Sequence, residues 1–200
     1  MLSEEEQMTD TDRRADLARN FTHAVTIVAG VSPDQLGNPT PCPDYDVATL
    51  IDHLIGASWL GVALGRGESP AGGEFPHVEL ADAPDQLRRA GQAAEAAWSD
   101  DARLAATVTM PWGETYTGAT LVDLHVTELA AHTWDLAAST GQLDRLDPGL
   151  APNALDAARA MLKPGYRNSA GNPYGAEVET PPDATDWERF AAFMGRQPRK

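Results

Sequence analysis

The sequence GATLVDLHVTELAAHTWDLAASTG, at residues 118–141, carries the strongest helical signal in this chain of 200 residues. No proline and no internal glycine interrupts it, and Gly141 stands where the C-cap of a helix is expected. On such a helix four ionisable residues fall at positions i, i+3, i+7 and i+10, so they form one stripe with apolar residues on both sides. The four are His125, Glu128, His132 and Asp135. We predict a helix over 118–140 that turns part of this stripe towards the interior of a bundle.

A buried ionisable stripe needs partners. An unpaired carboxylate in an apolar interior costs several kcal/mol unless it is neutralised, hydrogen-bonded or bound to a metal. Glu128 and His132 are four residues apart, so their Cβ atoms lie about 5–6 Å from each other and both side chains can reach one ion. His53 is the best third ligand because Leu50 and Ala57 place it on the apolar face of another predicted helix. Two histidines and one carboxylate form a common catalytic zinc set, which leaves a fourth coordination position open.

The spacing leaves other interpretations open. A buried histidine is often a hydrogen-bonded core residue, and Glu128 with His132 can be an ordinary i,i+4 pair on a helix surface. Asp135 either accepts a hydrogen bond from a ligating imidazole and orients it, or is a surface or capping carboxylate. His125 either acts as an acid or base near the metal, or is an ordinary helix histidine. We predict catalytic roles for His125 and Asp135.

Apolar periodicity, caps and helix breakers predict the remaining elements. They are a helix over 17–28 with Asp10 or Asp12 as cap and Gly30 after it, a proline-containing loop over 31–46, a helix over 47–64 capped by Asp46, a helix over 82–99, extended structure or a short hairpin over 103–117 around Pro111-Trp112-Gly113, a helix opened by Asp147-Pro148 and ending before Pro164-Gly165, and a last helix behind a capping box at Thr185-x-x-Glu188. The pattern favours core positions for Trp59, Trp98 and Trp134. It favours exposed positions on the surface for the loop residues Tyr166, Arg167, Asn168 and Tyr174.

Composition and charge exclude several classes of protein. Thirty acidic residues against fifteen basic ones give a formal charge of −15, which repels nucleic acid and anionic lipid. The single cysteine, Cys42, excludes an internal disulfide and a thiolate-rich metal cluster, so a metal would need histidine and carboxylate ligands. We interpret Cys42 as a structural residue and not as a nucleophile, because no positioned base accompanies it.

Length and hydropathy indicate where the protein works. The longest apolar run, 55–64, is broken by glycine and serine and falls short of the roughly 20 residues of a membrane span. The N-terminus is acidic and polar, unlike a secretory signal, so we expect a cytoplasmic protein. The length predicts one domain over 1–200, with a disordered tail at 1–9.

Three stretches resemble the DinB-like superfamily of metal-binding helical bundles, in particular the group similar to the N-terminal domain of mycothiol-dependent maleylpyruvate isomerase. Residues 40–56 resemble that group's loop and second helix, including the ligand histidine at His53. Residues 128–141 resemble its Glu-x-x-x-His-x-Trp-Asp segment, and 184–198, with Phe-Met-Gly-Arg at 193–196, resemble the ending of shorter actinobacterial members.

The resemblance implies an all-α, DinB-like four-helix bundle with additional short helices and one short hairpin at most. It also implies zinc or another divalent ion on His53, Glu128 and His132, and a low-molecular-weight thiol such as mycothiol as cosubstrate. A cation next to sulfur lowers the thiol pKa and holds the nucleophilic thiolate at neutral pH. The thiolate would add to an electrophilic carbon, and the adduct would then isomerise or remain as an S-conjugate.

Two departures from the family pattern leave the substrate open. The isomerase has a further C-terminal domain that contributes to substrate binding and that this chain is too short to contain. Ala138 stands where the family often has an arginine. We therefore expect a thiol-dependent transferase or isomerase, a monomer or homodimer, whose partners are a small-molecule substrate and the thiol. The alternatives are a metal-dependent hydrolase or lyase that uses no thiol, and a non-enzymatic protein that binds a metal or small molecule.

Overall fold

The structure is a computed structural model that describes residues 11–68, 75–110, 113–162 and 174–198. Within these ranges the chain forms seven α-helices, one β-hairpin and two single 3-10 turns. They are α1 (Arg14–Val28), the turn Pro33–Gln35, α2 (Val47–Gly65), α3 (Ala83–Ala97), α4 (Asp101–Ala105), β1 (Thr107–Thr109), β2 (Thr115–Thr117), α5 (Gly118–Thr140), the turn Leu143–Arg145, α6 (Ala151–Met161) and α7 (Asp186–Phe193). The predicted tail at 1–9, Pro111-Trp112, Pro164-Gly165 and the loop residues 166–168 lie outside the described residues.

Four helices form the bundle, and each of them contacts two of the others. α1 packs against α3 and α5, and α2 packs against the same two helices, so that α5 lies opposite α3. α6 covers another side of α5, and α7 in turn packs on α6. This arrangement confirms the predicted all-α, DinB-like bundle with short additional helices. The predicted hairpin is also present, because β1 and β2 pair antiparallel with Thr107 opposite Thr117.

The position of α5 explains why its ionisable stripe is buried. It has α1 and α2 on one side and α6 on another, so little of its surface meets solvent. His125, His132 and Asp135 are 5%, 5% and 0% exposed, among apolar neighbours such as Val126 and Leu129. The chain therefore holds its chemistry-bearing side chains on the most enclosed helix of the fold.

Several helix ends are where the sequence places them. The Asp46 carboxylate accepts a hydrogen bond from Thr49 N at 2.8 Å and caps α2. Thr185 and Glu188 form the predicted capping box of α7, with bonds of 3.2 and 2.7 Å. Gly141 ends α5 with φ at 72°, a left-handed conformation that glycine adopts without a Cβ clash.

Three predicted details differ in the structure, each because of a local side chain. Arg13 and not Asp12 is the N-cap residue of α1, although the Asp12 carboxylate accepts a hydrogen bond from Arg14 N, the first residue of the helix, at 3.1 Å. The helix after Asp147 begins only at Ala151, because Asp147 accepts a bond from Gly149 N and closes a turn there. Part of the segment predicted as extended is the one-turn helix α4, capped through the bond from Ala102 N to the Asp100 carboxylate.

The predicted proline-containing loop at 31–46 is ordered, because it caps the end of α5. The side-chain amides of Gln35 and Asn38 donate to the carbonyls of Thr140 and Ser139, both at 3.0 Å. Those carbonyls belong to the last turn of the helix and have no partner within it. A backbone bridge between Pro39 and Asp46 then closes the loop and delivers the residues before α2 to the C-terminal half of α5.

Helix α2 is more apolar than the sequence analysis allows. Its 19 residues reach a mean hydropathy of 1.6 over an 18-residue window, which by length and composition is enough to cross a membrane. The expectation that no segment approaches a membrane span is therefore wrong in these terms. Half of that window is buried inside the protein, where α2 contacts α3 and α5. An internal helix of a bundle meets the same criteria.

A glycine on α2 allows the close approach of α5. A Cβ atom at Gly61 would lie 2.3 Å from the imidazole of His125, which is buried and has no room to withdraw. We expect Gly61→Ala to lower the free energy of unfolding by about 1–3 kcal/mol through overpacking. Urea unfolding followed by circular dichroism measures the change. Gly37→Ala is the control, because nothing lies within 4 Å of a Cβ there. A Gly61→Ala variant as stable as Gly37→Ala would contradict this contact.

Candidate metal centre

Two helices bring His53, Glu128 and His132 together. Each offers one potential ligand atom, and these three atoms lie within 4.8 Å of one another. His132 Nε2 is 3.0 Å from Glu128 Oε2, and the rings of His53 and His132 meet edge to face with centroids 4.8 Å apart. His53 comes from α2, and the other two come from successive turns of α5. The residues that the sequence nominates as metal ligands therefore share one location, and the metal itself stays a prediction.

Asp135 lies behind His132, in the position of an orienting carboxylate. Its Oδ2 is 3.2 Å from His132 Nδ1, so Nδ1 is protonated and donates a hydrogen bond to the carboxylate. Nε2 of His132 is thereby left to face Glu128 and His53. Asp135 is completely buried, and Arg196 donates to it twice, at 3.2 and 2.9 Å. The structure therefore excludes the surface and capping interpretations of Asp135.

Two tyrosines hold the other potential ligands. The Tyr174 hydroxyl donates to Glu128 Oε1 at 3.0 Å, which leaves Oε2 on the side of His132. The Tyr45 hydroxyl lies 3.3 Å from His53 Nδ1, which leaves the other ring nitrogen of His53 for the centre. Each of the three potential ligands thus has an outer contact that fixes its orientation.

Sequence reasoning missed three of these outer residues. The prediction that Tyr174 is an exposed loop residue is wrong, since only 9% of it is exposed and its hydroxyl donates a hydrogen bond to Glu128. No role was predicted for Arg196 or Tyr45, although both belong to stretches quoted for the family resemblance. Periodicity gives no signal for them because all three lie in irregular segments, and the partners of Tyr174 and Arg196 are 46 and 61 positions away. A count of charges offers one hint, because a buried Asp135 requires a cation from elsewhere in the chain.

Electrostatics in the centre favour a positive charge between the carboxylates. Burial alone would lower the pKa of His132, but its contacts with Asp135 and Glu128 outweigh burial and raise that pKa to about 9. Burial would raise the pKa of Glu128, but the neighbouring His132 lowers it to about 2. Burial and the adjacent His132 both lower the pKa of His53. In the metal-free protein the positive charge is a proton on His132, and a cation between the ligands would take its place.

The donor set and its surroundings fit a divalent cation. Two imidazoles and one carboxylate match the preferences of zinc, and one coordination position would remain open. Glu128 Oε2 is buried and lies 3.0 Å from His132 Nε2, so the imidazolium of the metal-free protein neutralises this carboxylate. A divalent cation between the ligands would displace that proton and neutralise the same carboxylate.

His125 lies apart from the three potential ligands. Its ring packs edge to face on Phe21 of α1, with centroids 5.2 Å apart, and it fills the space that Gly61 leaves on α2. Neither ring nitrogen has a hydrogen-bond partner among the described residues. Burial lowers the pKa of His125 to about 4, so the imidazole is neutral at pH 7. The structure thus places it in the core one turn from Glu128, and its predicted catalytic role stays a prediction.

The remaining residues singled out in the sequence are mostly structural. Cys42 is buried, and burial raises the pKa of its thiol, in keeping with the structural interpretation. Trp98 and Trp134 are core residues as predicted, at 2% and 3% exposed. Trp59 is not a core residue, since 37% of it is exposed on the outer face of α2.

Comparison with known proteins identifies the family. Residues 15–137 match the family described as mycothiol maleylpyruvate isomerase N-terminal domain. The chain belongs to this family. The match includes the three potential ligands, whereas Tyr174 and Arg196 lie beyond its end. The resemblance stated from the sequence is therefore confirmed.

Curated relatives and a solved structure extend the comparison. Two uncharacterised proteins from two strains of Mycobacterium tuberculosis are each 37% identical to the chain over 178 residues, covering 86% of this chain and 91% of theirs. The crystal structure of the mycothiol-dependent maleylpyruvate isomerase is similar with a TM-score of 0.49 and 20% identity. That match covers 62% of this chain and 60% of the isomerase chain.

The buried pair of Arg196 and Asp135 gives a stability prediction. We expect Arg196→Leu to lower the free energy of unfolding by about 3–5 kcal/mol, because it leaves a buried carboxylate without its cation. Thermal and urea unfolding measure the loss. Arg189→Leu is the matched control, since Arg189 pairs with Asp186 on the surface and the loss should stay below about 1 kcal/mol. Equal losses in the two variants would contradict the pairing described for Asp135.

His125 gives a pH prediction whose sign follows from its lowered pKa. The pKa of His125 is about 6.5 in the unfolded chain and about 4 in the folded protein. The neutral ring therefore contributes stability that is complete above pH 6.5 and is lost as the pH falls towards 4, by roughly 3 kcal/mol. We expect His125→Leu to lack this part of the acid destabilisation, as measured by urea unfolding of chelator-treated protein at pH 7 and pH 4.5. Parallel curves for the two proteins would contradict the burial of this imidazole.

Proposed function

We propose that this protein is an enzyme that activates a low-molecular-weight thiol, mycothiol or a close analogue, for addition to a small electrophile. The product is either released as an S-conjugate or isomerised with return of the thiol. One observation carries the proposal: His53, Glu128 and His132 converge, with Asp135 behind His132, in a chain of the mycothiol maleylpyruvate isomerase N-terminal domain family. The proposed cofactor is one divalent ion, zinc by preference. The expected location is the cytoplasm, where thiols are kept reduced.

The proposed ligands are one ring nitrogen of each histidine and one carboxylate oxygen of Glu128. A divalent ion held there supplies a positive charge that lowers the pKa of a neighbouring thiol and leaves an open position for its sulfur. His132 presents Nε2 because Asp135 binds its Nδ1 proton. Tyr174 and Tyr45 restrain Glu128 and His53 in the same way through their hydroxyl groups. These restraints keep the three donors in place before any ligand arrives, which reduces the cost of ordering them on binding.

Burial of the site strengthens the attraction between its carboxylate and a bound cation. His132 is nearly enclosed, with a side chain 6% exposed, while the Glu128 side chain remains 23% exposed on the open side. A charge among these groups interacts more strongly than it would in water, because the local dielectric constant is lower. Arg196 offsets the charge of Asp135, so one carboxylate, Glu128, faces the proposed ion directly.

Metal content is the first test of the proposed function. Protein purified without added metal should contain about one divalent ion per chain by inductively coupled plasma mass spectrometry. We expect His132→Ala to lose it, and Asp135→Asn to bind it about 10–100-fold more weakly, because the orienting hydrogen bond is altered. His77→Ala is the matched control, since His77 is exposed and pairs with Asp52 outside the ligand set. Metal retained by His132→Ala would overturn the ligand assignment.

Thiol dependence is the second part of that test. Metal-loaded protein should consume an electrophile only when mycothiol is present, and a chelator should abolish the turnover. Turnover that requires the metal but no thiol would replace this proposal by a hydrolase or lyase. Tight ligand binding that survives chelation and yields no product would indicate a non-enzymatic binding protein.

A further inference from the structure

We infer that Phe75, together with Tyr45, forms an aromatic cleft beside His53 that receives the electrophile, and that this electrophile is an aromatic or similarly planar unsaturated molecule. The inference rests on the proposed function for the presence of a thiol. It adds the class of the second substrate and a residue that selects it.

Two rings flank the imidazole of His53. The centroid of Tyr45 is 5.0 Å from that of His53, and the centroid of Phe75 is 5.6 Å from it, edge to face. Phe75 is one of three large hydrophobic residues that the described part of the chain exposes, at 37%, and it alone among them contacts a potential metal ligand. An exposed aromatic ring is a favourable stacking partner for a planar ligand. The aromatic surface therefore lies where a molecule reacting at the centre would rest.

Glycine at position 56 allows this placement of the ring. Gly56 is on α2, three residues after His53, and a Cβ atom there would lie 2.0 Å from Cγ of Phe75. The ring therefore rests directly on the helix backbone. Any other residue at Gly56 would push Phe75 away from His53.

A tether on the same helix holds the segment that carries Phe75. Asp52, the residue before His53, accepts hydrogen bonds from Val78 N at 2.8 Å and from His77 Nδ1 at 2.9 Å. These two bonds fix residues 77–78 against α2 and thereby restrict where Phe75 can lie. The hydrogen bonds are made by Asp52, directly before His53, so they hold the segment close to a potential metal ligand. The arrangement suits a preformed binding surface.

Binding of two prepared conjugates tests the inference. Mycothiol carrying a dinitrophenyl group has an aromatic S-substituent, and mycothiol carrying a carboxamidomethyl group has an aliphatic one, while the thiol part is the same. We expect Phe75→Ala to raise the Kd of the dinitrophenyl conjugate about ten-fold and to leave that of the carboxamidomethyl conjugate within about two-fold. Isothermal titration calorimetry gives both constants, in metal-loaded and in chelator-treated protein.

Two further variants separate selection from packing. Gly56→Ala retains the ring but displaces it, so it should show the same selective loss as Phe75→Ala. Leu143→Ala removes another exposed large hydrophobic residue, in the turn that follows α5, and should change neither Kd. Equal weakening of both conjugates, or no weakening, in Phe75→Ala would overturn the aromatic cleft while leaving the thiol function intact.

Failure of the proposed function has a different signature. If wild-type protein binds neither conjugate, the thiol function is wrong, and the cleft is then judged on free dinitrobenzene. Its binding to the wild type, detected by proton NMR line broadening and lost in Phe75→Ala, would support the cleft. No binding of dinitrobenzene to the wild type would overturn it.

Discussion

The whole arrangement depends on the burial of one carboxylate. Asp135 has no contact with solvent, and an isolated charge in that position would cost several kcal/mol. Its two oxygens are instead shared between Arg196 and His132, so the charge is offset on one side and used on the other to orient an imidazole. The hydrogen bonds that compensate the buried charge of Asp135 also orient Nε2 of His132 towards Glu128. The hydrogen bonds of Asp135 therefore stabilise the fold and orient the candidate centre at the same time.

Much of this could be predicted from the sequence because its signals are local. The helix of 118–140, the Asp46 cap and the Thr185 capping box each depend on residues within four positions of one another, and all three are observed. The convergence of His53 with the α5 stripe also followed from periodicity, since apolar neighbours place both on faces that must meet in the core. Periodicity works here because a bundle has few ways to bury two amphipathic helices.

What escaped prediction depends on long-range or irregular contacts. Tyr174 and Arg196 come from segments without helical periodicity, and they reach α5 across 46 and 61 positions of sequence. The late start of α6 has a smaller cause of the same kind, since Asp147 bonds its own loop instead of capping a helix. The sequence pattern indicates the local propensity at such positions, but it does not reveal the hydrogen-bond partner that decides the local structure. Trp59 makes the converse point, because helical spacing assigned it to the core and the packing of α2 leaves it outside.

The C-terminal segment supports the candidate site from outside the family match. The family match ends at residue 137, before the segment that supplies Tyr174 to Glu128 and Arg196 to Asp135. Three hydrogen bonds, buried or partly buried, thus join Glu128 and Asp135 within the match to Tyr174 and Arg196 beyond it. Because a ligating group is only as well oriented as its outer contact, the segment beyond the match sets how rigidly the centre is held. The three potential ligands and the groups that orient them therefore come from two separate parts of the chain, so a change in the later part would loosen the centre without altering a ligand.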